Sequence, residues 1–162
     1  GVLQEARLLE EAKTLLTTEL DRSSSPYYFM SSLSAIAEKE KDIETALAWR
    51  QKAFETAKGS ATRFQWGASY VRALMRMTPY DEANITRVAM SLFEEMNVES
   101  ELFGGRNFRV LRSVNKSLHQ GQDERSKNLL AGFDAAITQR CNTLQTNSTA
   151  MENCRSLPVT KS

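Results

Sequence analysis

Histidine is all but missing from this chain. His119 is the single one among 162 residues, and cysteine is confined to Cys141 and Cys154. Structural zinc takes four such ligands at hairpin spacing, so metal is the weakest use for these groups, and neither a metal nor a cofactor is expected. No Cys-x-x-Cys occurs, and there is no glycine-rich phosphate loop or ligand-spaced acidic cluster. His119 has no nucleophile pattern near it. Long apolar runs are lacking too: the longest are a few residues, too short to cross a bilayer, and no signal-peptide core stands at the start. Charge of one sign is not in excess. Lys and Arg total 21 against 20 Asp and Glu, without long runs of either, so the linear sequence carries no nucleic-acid or membrane footprint. Catalysis by these residues alone is not expected.

What is present is helical periodicity. Apolar residues recur at helical spacing nearly throughout and alternating β-branched runs are absent, which makes the chain all-α. Its length suits a single domain over residues 1–162, burying about two thirds of the unfolded-chain surface. Because it opens on Gly1-Val2-Leu3 without Met, it reads as a piece of a longer chain.

About seven helices are predicted, joined by short turns into antiparallel hairpins. The first runs from Leu3 to Leu20. The second follows Ser25 as cap and Pro26 at its first position. A third spans Asp42 to Ala57 and stops at Gly59, where a left-handed turn costs little. Ser60 caps the fourth, and Thr78, Pro79 and Asp81 open a fifth that reaches Met96. "NVESELFGG" is the longest break before a sixth helix, Arg106 to His119, and a seventh, Asp123 to Cys141.

A repeat underlies part of this. "LEEAKTLLTTEL" superposes on "IETALAWRQKAF" at an offset of 34 residues, with Ala12 on Ala46 and Leu20 on Phe54. That is the tetratricopeptide spacing. The block "FMSSLSAIAEKEKDIETALAWRQKAFETAKG" resembles one such repeat: Leu33-Ser34 stand where a Leu-Gly pair belongs, and Ala46 and Ala53 are the small positions that let two helices approach. Ala89, Leu92 and Phe93 resemble the same second-helix signature, but they arrive 43 residues after Ala46, so the repeats are irregular. The fold expected is a tetratricopeptide-like, right-handed array.

In that register, groove-facing positions of each first helix fall on Tyr28, Ser31, Ala35 and Glu38, then on Thr62, Gln65, Ser69 and Arg72, with Arg106 and Arg109 able to join. Tyr28, Gln65, Ser69, Arg72 and Arg106 are the candidate peptide-binding residues. Hydroxyl, amide and guanidinium groups suit an extended peptide held by hydrogen bonds and a charged end, although a merely solvated helix face carries the same residue types. The sequons at Asn84, Asn115 and Asn147 are read as chance matches.

The segments "SPYYFM", "ATRFQWGASYVRAL" and "GRNFRVLR", taken with the terminal cysteine pair, resemble the helical C-terminal domain that follows a thioredoxin-like domain in a group of bacterial exported thioredoxin-family proteins. The resemblance implies a periplasmic or otherwise exported, non-catalytic interaction domain. Its partner would be a protein or peptide, and the thiol-disulfide chemistry would sit in the preceding thioredoxin-like domain. It implies neither nucleic-acid binding nor membrane insertion. The alternative is a self-standing helical-repeat adaptor that binds a peptide without any redox connection. The residues leave the cysteines open between a metal half-site, a redox pair, a structural disulfide and two inert thiols. Export favours a Cys141–Cys154 disulfide, since oxidising compartments preserve such bonds. Closing a loop of that size adds roughly 3 kcal/mol by loop-closure entropy.

Overall fold

The computed structural model describes residues 2–95, 99–120 and 124–159. Among the described residues the chain is helical and no strand occurs. The helices are α1 (Val2–Leu20), α2 (Tyr27–Lys39), α3 (Ile43–Thr56), α4 (Ser60–Met77), α5 (Glu82–Glu94), α6 (Glu99–Leu102), α7 (Gly105–Gln120), α8 (Glu124–Cys141) and α9 (Thr149–Arg155). Two of these are additions to the predicted set. The four-residue α6 falls inside the "NVESELFGG" break, with Leu102 and Phe103 fully buried. The segment after Cys141, where no helix is predicted, contains α9, because Ser148 accepts from the Met151 amide as an N-cap. The expected end of the fifth helix at Met96 and start of the seventh at Asp123 lie outside the described residues.

Side chains at the turns explain the other boundaries. Asp42 caps α3 by accepting from the Thr45 amide at 3.1 Å. Asp81, and not Thr78, caps α5, accepting from Asn84; the Thr78 hydroxyl instead donates back to the Leu74 carbonyl and finishes α4. α2 takes Pro26 at its N-cap without a side-chain acceptor, so Ser25 does not fill that role. Past α3 the chain turns at Gly59 with φ +82°, the left-handed backbone that glycine adopts without strain.

Contacts gather the chain into two compact units, residues 1–59 and 60–162. In the first unit α1 packs on α2, and α2 forms a hairpin with α3. Ala46 and Ala53 are fully buried and Trp49 is half-covered, as the repeat register expects. Ser34, in the place of the motif's glycine, is also fully buried: its Oγ donates to the Ala46 carbonyl at 2.8 Å and accepts from Arg50 Nε at 3.0 Å. Arg50 Nη1 also donates to the Ser31 hydroxyl at 2.9 Å.

The second unit holds two hairpins side by side. α4 packs on α5 and α7 on α8, while α4 also meets α7 and α5 meets α8. Gln65 Nε2 donates to Asn107 Oδ1 at 3.3 Å, and seven residues along α4 Arg72 Nη1 donates to Ser113 Oγ at 3.3 Å, six residues along α7. Two ties advancing together mean that α4 and α7 run in the same direction. Phe93 and Phe133 stack with centroids 5.2 Å apart between α5 and α8, and Arg140 Nη2 closes the end by donating to the Phe93 carbonyl at 2.6 Å.

Candidate functional site

Neither α4 nor α7 contains a single acidic residue. Together they carry Arg63, Arg72, Arg76, Arg106, Arg109, Arg112 and Lys116, seven of the chain's 21 cationic side chains. On α4, Gln65, Ser69, Arg72 and Arg76 follow i, i+4, i+7 and i+11 spacing, which places them on one face. The opposite face, with Phe64, Ala68 and Val71 fully buried, faces the core. On α7, Arg106, Arg109, Ser113 and Lys116 form a matching exposed stripe opposite buried Leu111, Val114 and Leu118. Because α4 and α7 lie parallel, the two stripes adjoin.

Their cations are not equivalent. Arg63 forms a two-pronged pair with Glu95, at 2.6 and 2.8 Å. Arg72 has no carboxylate among the described residues. It is half-buried, and its polar contact is the neutral Ser113 hydroxyl. Desolvation by burial holds its guanidinium below the ordinary arginine value, and repulsion from Arg76 one turn on pushes the same way. Arg106, Arg109, Arg112 and Lys116 are exposed and likewise lack a carboxylate partner among the described residues.

Of the predicted groove residues, Gln65, Ser69, Arg72 and Arg106 therefore belong to the adjoining α4 and α7 faces. Tyr28 belongs to the first unit, 60% exposed, with its ring 5.0 Å from that of Tyr27. Ser31, at another predicted groove position, is engaged by Arg50. Sequence reading missed the charge segregation because it followed charge along the chain. Asp81, Glu82, Glu94, Glu95, Glu99 and Glu101 lie in sequence between the two cationic helices and offset most of their charge in any linear count. Tallying charge helix by helix exposes it.

A second polar cluster, also missed, lies between α7 and α8. His119 Nδ1 sits 2.8 Å from the Asn115 carbonyl, which can only accept, so Nδ1 carries hydrogen. Nε2 lies 3.4 Å from Asp134 Oδ2, and both side chains are largely buried. One ring nitrogen is thus given to backbone and the other is turned to a carboxylate on the neighbouring helix. The cluster clasps two helices. Beside it Asn115 is fully buried, and among the described residues neither of its side-chain polar atoms has a hydrogen-bond partner; burial leaves its sequon out of reach of a glycan in the folded chain.

Cys141, at the end of α8, and Cys154, in α9, lie at disulfide distance with Cα atoms 5.9 Å apart. Among the described residues no group of three His, Cys, Asp or Glu side chains is placed to hold a metal ion. A shallow open depression along α1, lined by Lys13, Thr14, Thr17, Thr18, Asp21 and Arg22, has a single helix as its wall. Among the described residues no helix is long and apolar enough to cross a membrane.

Compared with protein-family profiles, curated proteins and solved structures, the chain matches none of them.

Proposed function

We propose that this chain is a non-catalytic protein- or peptide-interaction domain whose docking surface is the joint face of α4 and α7. One observation carries the reading: two parallel, adjoining helices expose a continuous face of guanidinium, amide and hydroxyl groups, with Gln65, Ser69, Arg72, Arg106 and Ser113 within it. Such a surface offers donors to the backbone carbonyls and charged groups of an extended segment. The pairing of hairpins in the second unit and the burial of Ala46 and Ala53 support a tetratricopeptide-like register, in which first helices line up on one side.

The accessory relation to a thioredoxin-like domain, and residence in an oxidising compartment, are the second part of the proposal. The terminal cysteine pair at disulfide distance supports it. A Cys-x-x-Cys thioredoxin pattern encoded upstream of Gly1 is expected, and an upstream sequence without one leaves the self-standing adaptor.

The docking reading is tested with an unbiased displayed peptide library. Peptides retained by the protein are expected to be lost on Ser113→Trp, which fills the exposed face without altering charge. Retention of no peptide, or binding untouched by this variant while circular dichroism shows it folded, overturns the reading.

A further inference from the structure

We infer that the α4/α7 face selects an acidic segment of a partner polypeptide, one whose Asp and Glu side chains reach Arg72, Arg106, Arg109 and Lys116. This rests on the docking reading above and adds the chemistry of the occupant. Charge complementarity is the argument. The molecule as a whole is almost neutral, with 21 basic and 20 acidic residues, yet α4 and α7 present cations and no acid. Acidic side chains are available elsewhere on the surface, and a structural role for these arginines would place such partners beside them, as Glu95 is placed beside Arg63. Arg72 has been taken partly out of water with no anion in return. Burying part of a charge without a partner costs free energy, and an incoming carboxylate recovers it.

The rest of the face tells which polyanion. A membrane surface takes apolar side chains as well as cations. Among the described residues the exposed large apolar ones are Leu3, Leu8, Leu15, Tyr28, Tyr80 and Val159, none of them on α4 or α7. Single-stranded nucleic acid wants aromatic rings to stack its bases. Here three of the four aromatic residues of the two helices, Phe64, Tyr70 and Phe108, are buried, and the fourth, half-buried Trp66, follows Gln65 directly and so stands off the row that Gln65 shares with Ser69, Arg72 and Arg76. What accompanies the cations is Gln65, Ser69, Asn107, Ser113 and Ser117, short donors and acceptors suited to peptide backbone. Arginine forks meet carboxylates in two-pronged geometry, which favours Asp and Glu over a diffuse negative field.

The test uses the 162-residue chain and three labelled probes in fluorescence anisotropy: a glutamate-rich peptide, a length-matched glutamine-rich peptide and an oligothymidylate. Sedimentation with phosphatidylserine-containing vesicles is a fourth arm. The glutamate-rich peptide is expected to bind at least about tenfold more tightly than the glutamine-rich one, and to weaken as salt screens the charges. The triple variant Arg106→Glu, Arg109→Glu, Lys116→Glu alters exposed side chains alone, so its helicity should be unchanged and its affinity for the glutamate-rich peptide about tenfold lower or worse. Equal binding of the two peptides, an unchanged affinity of the folded triple variant, or preference for the oligonucleotide or the vesicles overturns the inference. If the library yields neutral or basic peptides that Ser113→Trp still displaces, the acidic specificity falls while the docking reading stands.

Discussion

With no atoms beyond Cβ, Ala46 lets α3 come close enough to α2 for Ser34 Oγ to reach its carbonyl at 2.8 Å. The same closeness makes the site intolerant of size. Ala46→Leu should overpack it and lower stability by about 1–3 kcal/mol in chemical denaturation, and an unchanged midpoint would contradict the close helix approach. Asn115 predicts the opposite sign. Its amide is fully buried with both polar atoms unsatisfied, so Asn115→Leu, close in volume, should raise stability by about 1 kcal/mol. A loss of stability would show that the amide is satisfied after all. The third residue-scale outcome concerns pH. Hydrogen bonds from Thr45 hold the Asp42 carboxyl below the ordinary value of 3.8. A lowered folded-state value means the cap contributes fully above pH 3.8 and is lost as pH falls through the folded-state value. Acid titration should therefore destabilise the wild-type chain more than Asp42→Ala in that range, and parallel curves would refute the cap.

At the scale of elements, α9 hangs on few attachments: the cysteine pair, a 2.8 Å donation from Asn153 Nδ2 to the Phe103 carbonyl, and buried Leu157. Replacing both cysteines by serine should speed amide hydrogen exchange across residues 149–155 while α2 and α3 keep their protection. Loss of protection throughout would assign the pair a larger role than a terminal clasp. Helices α1 to α5 were legible in the sequence because caps and apolar stripes are local features: Asp42, Gly59 and Asp81 each stand at an end they determine. What escaped depended on contacts distant in sequence. α9 looks like loop by composition, and Leu157 beyond it is buried. The His119–Asp134 clasp joins residues from two helices that no local pattern connects. Gln65, Ser69 and Arg72 were placed on one face correctly because a helix face is a matter of spacing. That α7 runs beside them, bringing Asn107 and Ser113, depends on how hairpins stack.

For the whole molecule, near-zero net charge conceals an uneven distribution, and within the second unit the uneven part coincides with the adjoining faces of α4 and α7. Arg72 is partly desolvated with no acid beside it among the described residues, and the proposed docking role gives that arginine a partner. This face is the proposed seat of the partner. Nuclear magnetic resonance titration of the isotopically labelled chain with a glutamate-rich peptide locates the contact directly. Backbone amide shifts should move along the outward residues of α4 and α7, from Gln65 to Arg76 and from Arg106 to Lys116, and leave α3 and α9 in place. Shifts centred on any other surface, or a spectrum unmoved at saturating peptide, would contradict it.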